Sequence, residues 1–412
     1  MPDDVIGVTA TVTTHVGRAD SLGARLEREV DALAAARPRL GAAIRAASRH
    51  PDVVTIVLAV VTAGGFAAVV PGGDAELFRD AGAGMIGPRF FDVFALPGLQ
   101  IGPLYLAVLG ALTTLLDLAG SASLTRTVLA GAQAALILGI ALRLVRRWGR
   151  RNRVPDRAAR WAVGLLLGVG GFVAEATGNG HPEEMLVGLL LAHAAFWAAE
   201  GRSALAGAVL GLAGGLKQWA VLGGGVLLLG RRRRAVLLAI ATTAVALAVF
   251  YGPFFLFGTV RTYDFQWGFN DRSLLGRIES AWGLTDWAMR IVQGAVAGLA
   301  GAWVAWRRRH SPVAPIIVAI TVRLLLDPLR LTYYSGPLVA LVAAWAWTTG
   351  SAAVVRWRLP VTVLAPLVVV APYLLSRDAT WTGGTALLLA TLVVVLTFDR
   401  PTVGVPVEDV AG

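Results

Sequence analysis

The chain has 412 residues, 56% of them hydrophobic, and a mean hydropathy of +0.67. That composition excludes an ordinary soluble domain, and apolar runs recur from Asp52 to the C-terminus, as in a polytopic helical membrane protein. The formal charge of +11 would suggest nucleic acid in a soluble protein. Here the arginines fall in short loops between apolar runs, the positive-inside pattern, so membrane lipids and not nucleic acid are the expected partners. No cysteine is present, which removes disulfides, thiolate nucleophiles and zinc–thiolate sites.

Residues 1–50 open polar and continue as SLGARLEREVDALAAARPRLGAAIRAASRH, an amphipathic helix broken near Pro38 and suited to the cytoplasmic membrane surface. No charged segment with a short apolar core and a small-residue cleavage site opens the chain, so the first span is expected to act as the insertion signal. Predicted spans cover 52–70, 101–118, 124–145, 161–178, 184–199, 203–229, 235–257, 284–306, 313–330, 335–349, 360–375 and 383–398. The fold expected is all-α, a transmembrane bundle of about 11–13 membrane segments, some short or re-entrant. It occupies 51–398, between the N-terminal segment 1–50 and a cytoplasmic tail 399–412.

The arginine-rich stretches 143–160, 231–234, 307–309 and 356–358 are expected on the cytoplasmic side, with both termini. Loops 71–100, 179–183, 258–283, 331–334 and 376–382 then face outward. Two places defeat simple counting. Segment 203–229 has arginine at both ends, which demands an even number of crossings in 27 residues and suggests two half-depth helices bent near Lys217. Segment 101–145 has the opposite defect, so 101–118 is expected to be short or re-entrant after Gly102 and Pro103. Broken backbone at membrane depth is tolerated where it lines a protein cavity, and both anomalies point to one outward-facing cleft.

The first outer loop, PGGDAELFRDAGAGMIGPRFFDVFALPGLQIGPLYL, mixes charges with apolar residues at helical spacing, which argues for order. Asp74, behind Gly72 and Gly73, can serve as the N-cap of a surface helix or as a boundary carboxylate acting as general base. Glu76 and Gln100 are further polar candidates in this loop. In GNGHPEE, His181, Glu183 and Glu184 stand at the mouth of a span. They can hydrogen-bond a polar ligand, or simply complement the helix that Pro182 starts. With Asp74 they offer ligand types that magnesium, calcium or manganese accept, but the spacing is no recognised set and no metal ligand is assigned.

Lys217 is the single lysine among 37 basic residues, and it lies inside an apolar run. An ionisable group there is a functional candidate by default, with snorkelling to an interface as the alternative. Gln218 and Trp219 follow it. The loop 258–283 carries Asp264, Gln266, Trp267, Asn270, Asp271 and Arg272, a mix found on carbohydrate-binding surfaces and on ordinary interfacial loops. In RLLLDPLRLTYYSGP, an Arg323–Asp327 pair at i, i+4 would neutralise itself within the bundle, beside Arg330, Tyr333 and Tyr334. Glycine-rich stretches follow no predicted strand, so they are not nucleotide-phosphate loops.

The Asp after the first span, the surface-helix loop, the Gln-x-Gly-Pro entry at Gln100, GNGHPEE and GLAGGLKQWAVL together resemble the GT-C superfamily of polyprenyl-phosphate-sugar-dependent glycosyltransferases. Within it the chain is most similar to glycosyltransferase family 87, the α-1,2-mannosyltransferase-like membrane proteins of actinobacteria, over roughly 52–350. The resemblance implies an inverting enzyme of the cell-envelope membrane that moves a mannose-like hexose or a pentose from a polyprenyl-phosphate donor to an extracytoplasmic glycolipid, glycan or protein. It implies Asp74 as catalytic base, Lys217, Gln218 and Trp219 around the donor phosphate, and Glu76, Gln100, His181, Glu183, Glu184, Asp327, Tyr333 and Tyr334 as substrate contacts. A transporter or lipid flippase is the competing class, since broken helices and intramembrane charge suit both. The halves show no internal repeat, which favours the enzyme.

Overall fold

A computed structural model describes residues 31–399 except 34, 71, 119, 265–269 and 284. Gln266 and Trp267 therefore lie outside the described residues, as do the segment before 31 and the tail after 399. Contacts divide the chain into two compact units, Met1–Pro51 and Asp52–Gly412. In the first, helix α1 (Pro38–Arg49) begins with its proline at the first helical position, after Arg37 has left helical geometry. That is the break expected there, because a proline ring clashes with the preceding turn of a continuing helix.

The second unit is helical among its described residues: α2 (Pro51–Val69), α3 (Ala75–Met85), α4 (Pro103–Asp117), α5 (Ala122–Asn152), α6 (Arg157–Gly168), α7 (Phe172–Gly178), α8 (Pro182–Ala199), α9 (Ser203–Leu216), α10 (Arg233–Phe257), α11 (Leu274–Trp282), α12 (Asp286–Arg307), α13 (Ala314–Leu326), α14 (Gly336–Thr348), α15 (Ala352–Leu364), α16 (Leu367–Leu374) and α17 (Arg377–Phe398). Among the described residues six helical stretches are long and apolar enough to cross a membrane: α2, α5, the α6–α7 stretch, α10, α12 and α17. A seventh is added if α15 and α16, bent by 43°, form one span. The predicted all-α membrane bundle is the observed architecture. On α10, Leu237, Ile240, Val245 and Val249 stand exposed, and such a continuous apolar face needs lipid to cover it.

Helix α8 is the buried centre and packs against α5, α9, α14 and the 3-10 helix Gln218–Leu229. One end of the bundle collects the arginine-rich termini. There Asp52 accepts from Arg146 and, at 2.8 Å, from Arg160; Arg147 grips Glu200 at 3.1 Å. The opposite ends of α2 and α8 meet around Asp74 and His181.

The segment 203–229 differs from two half-depth helices. Helix α9 has 14 residues, a length of about 21 Å at the α-helical rise. The returning strand of chain is a 12-residue 3-10 helix, about 24 Å long because that helix rises further per residue. Each limb thus covers most of a ~30 Å hydrocarbon core, and the stretched second limb makes the short return feasible. Between them Lys217 is extended, at φ −158 and ψ 137. Its backbone pairs with Ile101 in an isolated antiparallel bridge, and Gly102 donates to the Leu216 carbonyl at 2.8 Å. A side chain at Gly102 would collide with the Gly215 carbonyl, so glycine lets the entry to α4 close on the Lys217 break. Helix α4 is short, as predicted, and packs along α3.

Candidate active site

Asp74 occupies the N-cap position of α3, but its side chain makes no capping bond. It turns instead to His181, whose Nε2 donates to Oδ2 at 3.0 Å. The contact depends on the loop between α7 and α8. The Asp74 amide donates to the Asn179 carbonyl at 3.3 Å, and Gly180 has φ +84. A Cβ there would lie 2.6 Å from the Ala75 backbone, so only glycine brings His181 this near. Pro182 then starts α8, fixing Glu183 and Glu184 in its first turn.

From Asp74 inward, charges of alternating sign touch one another. His181 Nδ1 donates to Glu183 Oε1 at 2.9 Å, and Lys217 Nζ donates to the same oxygen at 2.8 Å. Lys217 also pairs with Glu184 Oε1 at 2.8 Å, and Arg323 Nη1 donates to Glu184 Oε2 at 3.2 Å. Both imidazole nitrogens face carboxylate oxygens, and only the imidazolium offers a donor to each. Three carboxylates and three cations thus balance, which makes their burial tolerable.

Ring systems hold this chain in place. Tyr333 stacks on His181 with centroids 4.2 Å apart and an interplanar angle of 11°, and Phe78 packs against the same imidazole at 5.1 Å with the planes 79° apart. The Arg323 guanidinium lies over Trp219 at 4.5 Å and Tyr334 at 4.9 Å. Within this cluster Glu183 Oε2 and Trp219 Nε1 are buried without a hydrogen-bond partner.

The hydrogen bond from His181 holds the Asp74 carboxyl below its ordinary range; partial burial opposes this, and the His181 and Lys217 charges reinforce it. For His181, burial and the nearby Lys217 ammonium disfavour charge. Glu183 and the hydrogen bonds to Asp74 and Glu183 outweigh them, and the imidazole is raised above 6.5.

The structure thus brings together Asp74, His181, Glu183, Glu184, Lys217, Trp219, Tyr333 and Tyr334. Four other sequence candidates stand apart. Glu76 is exposed, with Oε1 3.6 Å from Arg79 and 3.7 Å from Arg126. Gln100 is half-buried and precedes the Ile101 bridge. Gln218 lines a separate cavity of about 280 Å³ with Phe94, Tyr251, Phe254, Phe255 and Trp287. Asp327 is fully buried; its oxygens accept from Gln293 at 3.1 Å, Arg290 at 3.5 Å and the amides of Leu329 and Arg330 at 2.9 and 3.1 Å.

The expected Arg323–Asp327 pair is replaced by Arg323–Glu184 and Asp327–Arg290. Helix α13 ends at Leu326, so the two residues do not share a continuous i, i+4 helical face. Arg323 is the member that sequence spacing misassigned, because its partner lies 139 residues away. Lys217, expected beside the donor phosphate, has a buried ammonium paired with two glutamates. Among the described residues no three His, Asp or Glu side chains form a metal-holding group. Glu183 and Glu184 face Lys217 and Arg323, so the cluster does not fit a divalent cation.

No curated protein matches the chain. The sequence model of glycosyltransferase family 87 matches residues 101–328. The match takes in His181, Glu183, Glu184, Lys217 and Arg323 and begins after Asp74. Since it covers more than half of a helical membrane protein whose matched residues build the charged cluster, the chain belongs to glycosyltransferase family 87.

Proposed function

We propose that this membrane glycosyltransferase uses Asp74 as general base to move a mannose-like hexose or a pentose from a polyprenyl-phosphate donor to a hydroxyl of an extracytoplasmic acceptor. One observation carries the assignment of the base. The Asp74 side chain is 39% exposed, whereas His181, Glu183, Glu184, Lys217 and Arg323 are each exposed by 8% or less. Of the six charged groups, the carboxylate alone is open to a substrate, and five buried ones hold it.

In the reaction the acceptor oxygen attacks the anomeric carbon as the bond to the donor phosphate oxygen breaks. The hydroxyl proton passes to Asp74, and the lipid phosphate leaves with the electron pair. One carboxylate opposite the leaving group suffices for such an inverting displacement, and base catalysis of this kind contributes about 10²–10⁴-fold. The His181 imidazolium keeps Asp74 ionised and aimed, and Glu183, Lys217, Glu184 and Arg323 keep His181 charged. Lys217 accordingly acts through the two glutamates. The Asp74 end of the bundle is opposite the arginine-rich end, which supports an extracytoplasmic site by the positive-inside rule.

The test is transfer by the purified chain in liposomes, supplied with mannose on either a polyprenyl phosphate or a nucleotide. Transfer from the lipid-linked donor alone is expected. Transfer from the nucleotide sugar alone would overturn the donor assignment.

A further inference from the structure

Beside the Asp74–His181 contact lies a cavity of about 40 Å³ whose walls carry two arginines. Gly72, Ala75 and Gly180 form one side, and these are the backbone neighbours of Asp74 and His181. Phe78, whose ring centroid lies 5.1 Å from that of His181, also lines the cavity. Across from them stand Arg79 of α3 and Arg126 of α5, with Gln133 and Tyr105 hydrogen-bonded to each other at 3.2 Å. Ala67, Leu109 and Leu129 complete an apolar flank.

The charges in this cavity are not balanced as those around Lys217 are. Arg79 and Arg126 are exposed by only 19% and 29%, and each has a buried Nε–H with no hydrogen-bond partner. Among the described residues their ion pairing is to one exposed oxygen, Glu76 Oε1, at 3.6 and 3.7 Å, beyond hydrogen-bond length. Two guanidiniums reaching the same oxygen have their tips within about 7 Å of each other, and like charges at that range favour an anion between them. Guanidinium forks match phosphate oxygens, and the volume is that of about three water-sized groups, enough for the oxygens of one phosphate. The apolar flank suits an anion that arrives on a lipid rather than free in water.

We propose that Arg79 and Arg126 form the binding site for the phosphate of the lipid-linked donor, in the cavity lined by the backbone neighbours of Asp74 and His181, which leaves Lys217 to the glutamates. Glu76 is the internal anion that this phosphate displaces. The assignment rests on the lipid-phosphate donor of the proposed function.

The experiment titrates farnesyl phosphate into the full chain in neutral-lipid nanodiscs, with inorganic phosphate and phosphatidylglycerol as competitors. Loss of a charge-assisted contact in Arg79→Gln or Arg126→Gln is expected to weaken binding about 10-fold or more. Arg126→Lys should recover part of it, and Glu76→Gln should tighten binding, a gain that a merely structural role would not produce. Equal affinity in wild type, Arg79→Gln and Arg126→Gln would overturn the site while leaving the donor reading intact. Absence of farnesyl phosphate binding to the wild-type chain would remove the donor reading and this site with it. Full competition by inorganic phosphate at equal concentration would make the cavity a free-anion site, and full competition by phosphatidylglycerol a general lipid site; either result contradicts the assignment.

Discussion

The imidazole of His181 meets the carboxylate of Asp74 at 3.0 Å, and that carboxylate makes no capping bond to the helix it precedes. This bond is the largest influence lowering the Asp74 titration, and burial is the main one raising it. In His181→Gln the imidazolium charge is lost and burial remains. The acid limb of the pH–rate profile is expected to move upward, into or above the ordinary carboxylate range. In the wild type the raised imidazole works in the other direction. Its contribution to stability is complete below its ordinary 6.5 and fades as pH rises through the higher folded-state value, so melting temperature should fall on the alkaline side of that value, and less so in His181→Gln. An unmoved acid limb in the variant would remove His181 from its positioning role.

Lys217 compensates two fully buried glutamates, so its removal is expected to act first on folding. Breaking a buried ion pair on one side costs about 3–5 kcal/mol. Lys217→Met should therefore lower the melting temperature sharply, and adding Glu183→Gln should restore part of it because one stranded charge is neutralised. A Lys217→Met protein with wild-type stability and a raised donor KM would instead return Lys217 to direct phosphate contact.

Asp327 and Tyr333 were grouped as substrate contacts, and the structure separates them. Asp327 is sealed inside with four hydrogen-bond partners. Asp327→Ala leaves buried donors unsatisfied and should destabilise by about 1–3 kcal/mol for each stranded group, with KM little changed in the protein that folds. Tyr333→Ala removes the ring stacked on His181 and is expected to lower kcat by freeing the imidazole, at smaller cost in stability. Thermal melts and steady-state kinetics on the two variants read these effects separately.

Much of this architecture was legible because lipid imposes strong rules on sequence. Arginine counting placed a bend at Lys217, and the structure has a turn there with the chain returning to the arginine-rich side. GNGHPEE announced a helix start with unusual carboxylates, and Pro182 does begin α8. The partners of these residues were not legible. Hydrophobic periodicity says which face is buried but not which distant charge it meets, so Arg323 was matched to a neighbour in sequence rather than to Glu184. The 3-10 winding after Lys217 was hidden too, since QWAVLGGGVLLL is equally apolar in either helix and tertiary packing decides. Arg79 and Arg126 carried no motif. Their convergence on Glu76 joins side chains from α3 and α5, which spacing cannot show.

The central claim is that the one open carboxylate of a charged, buried chain is the base. It is tested most directly by single-turnover transfer from a polyprenyl-phosphate sugar with Asp74→Asn, which preserves shape and a hydrogen-bonding oxygen while losing the charge. The account predicts a rate lowered by about 10²–10⁴-fold with donor affinity nearly unchanged. Transfer at close to the wild-type rate would contradict it.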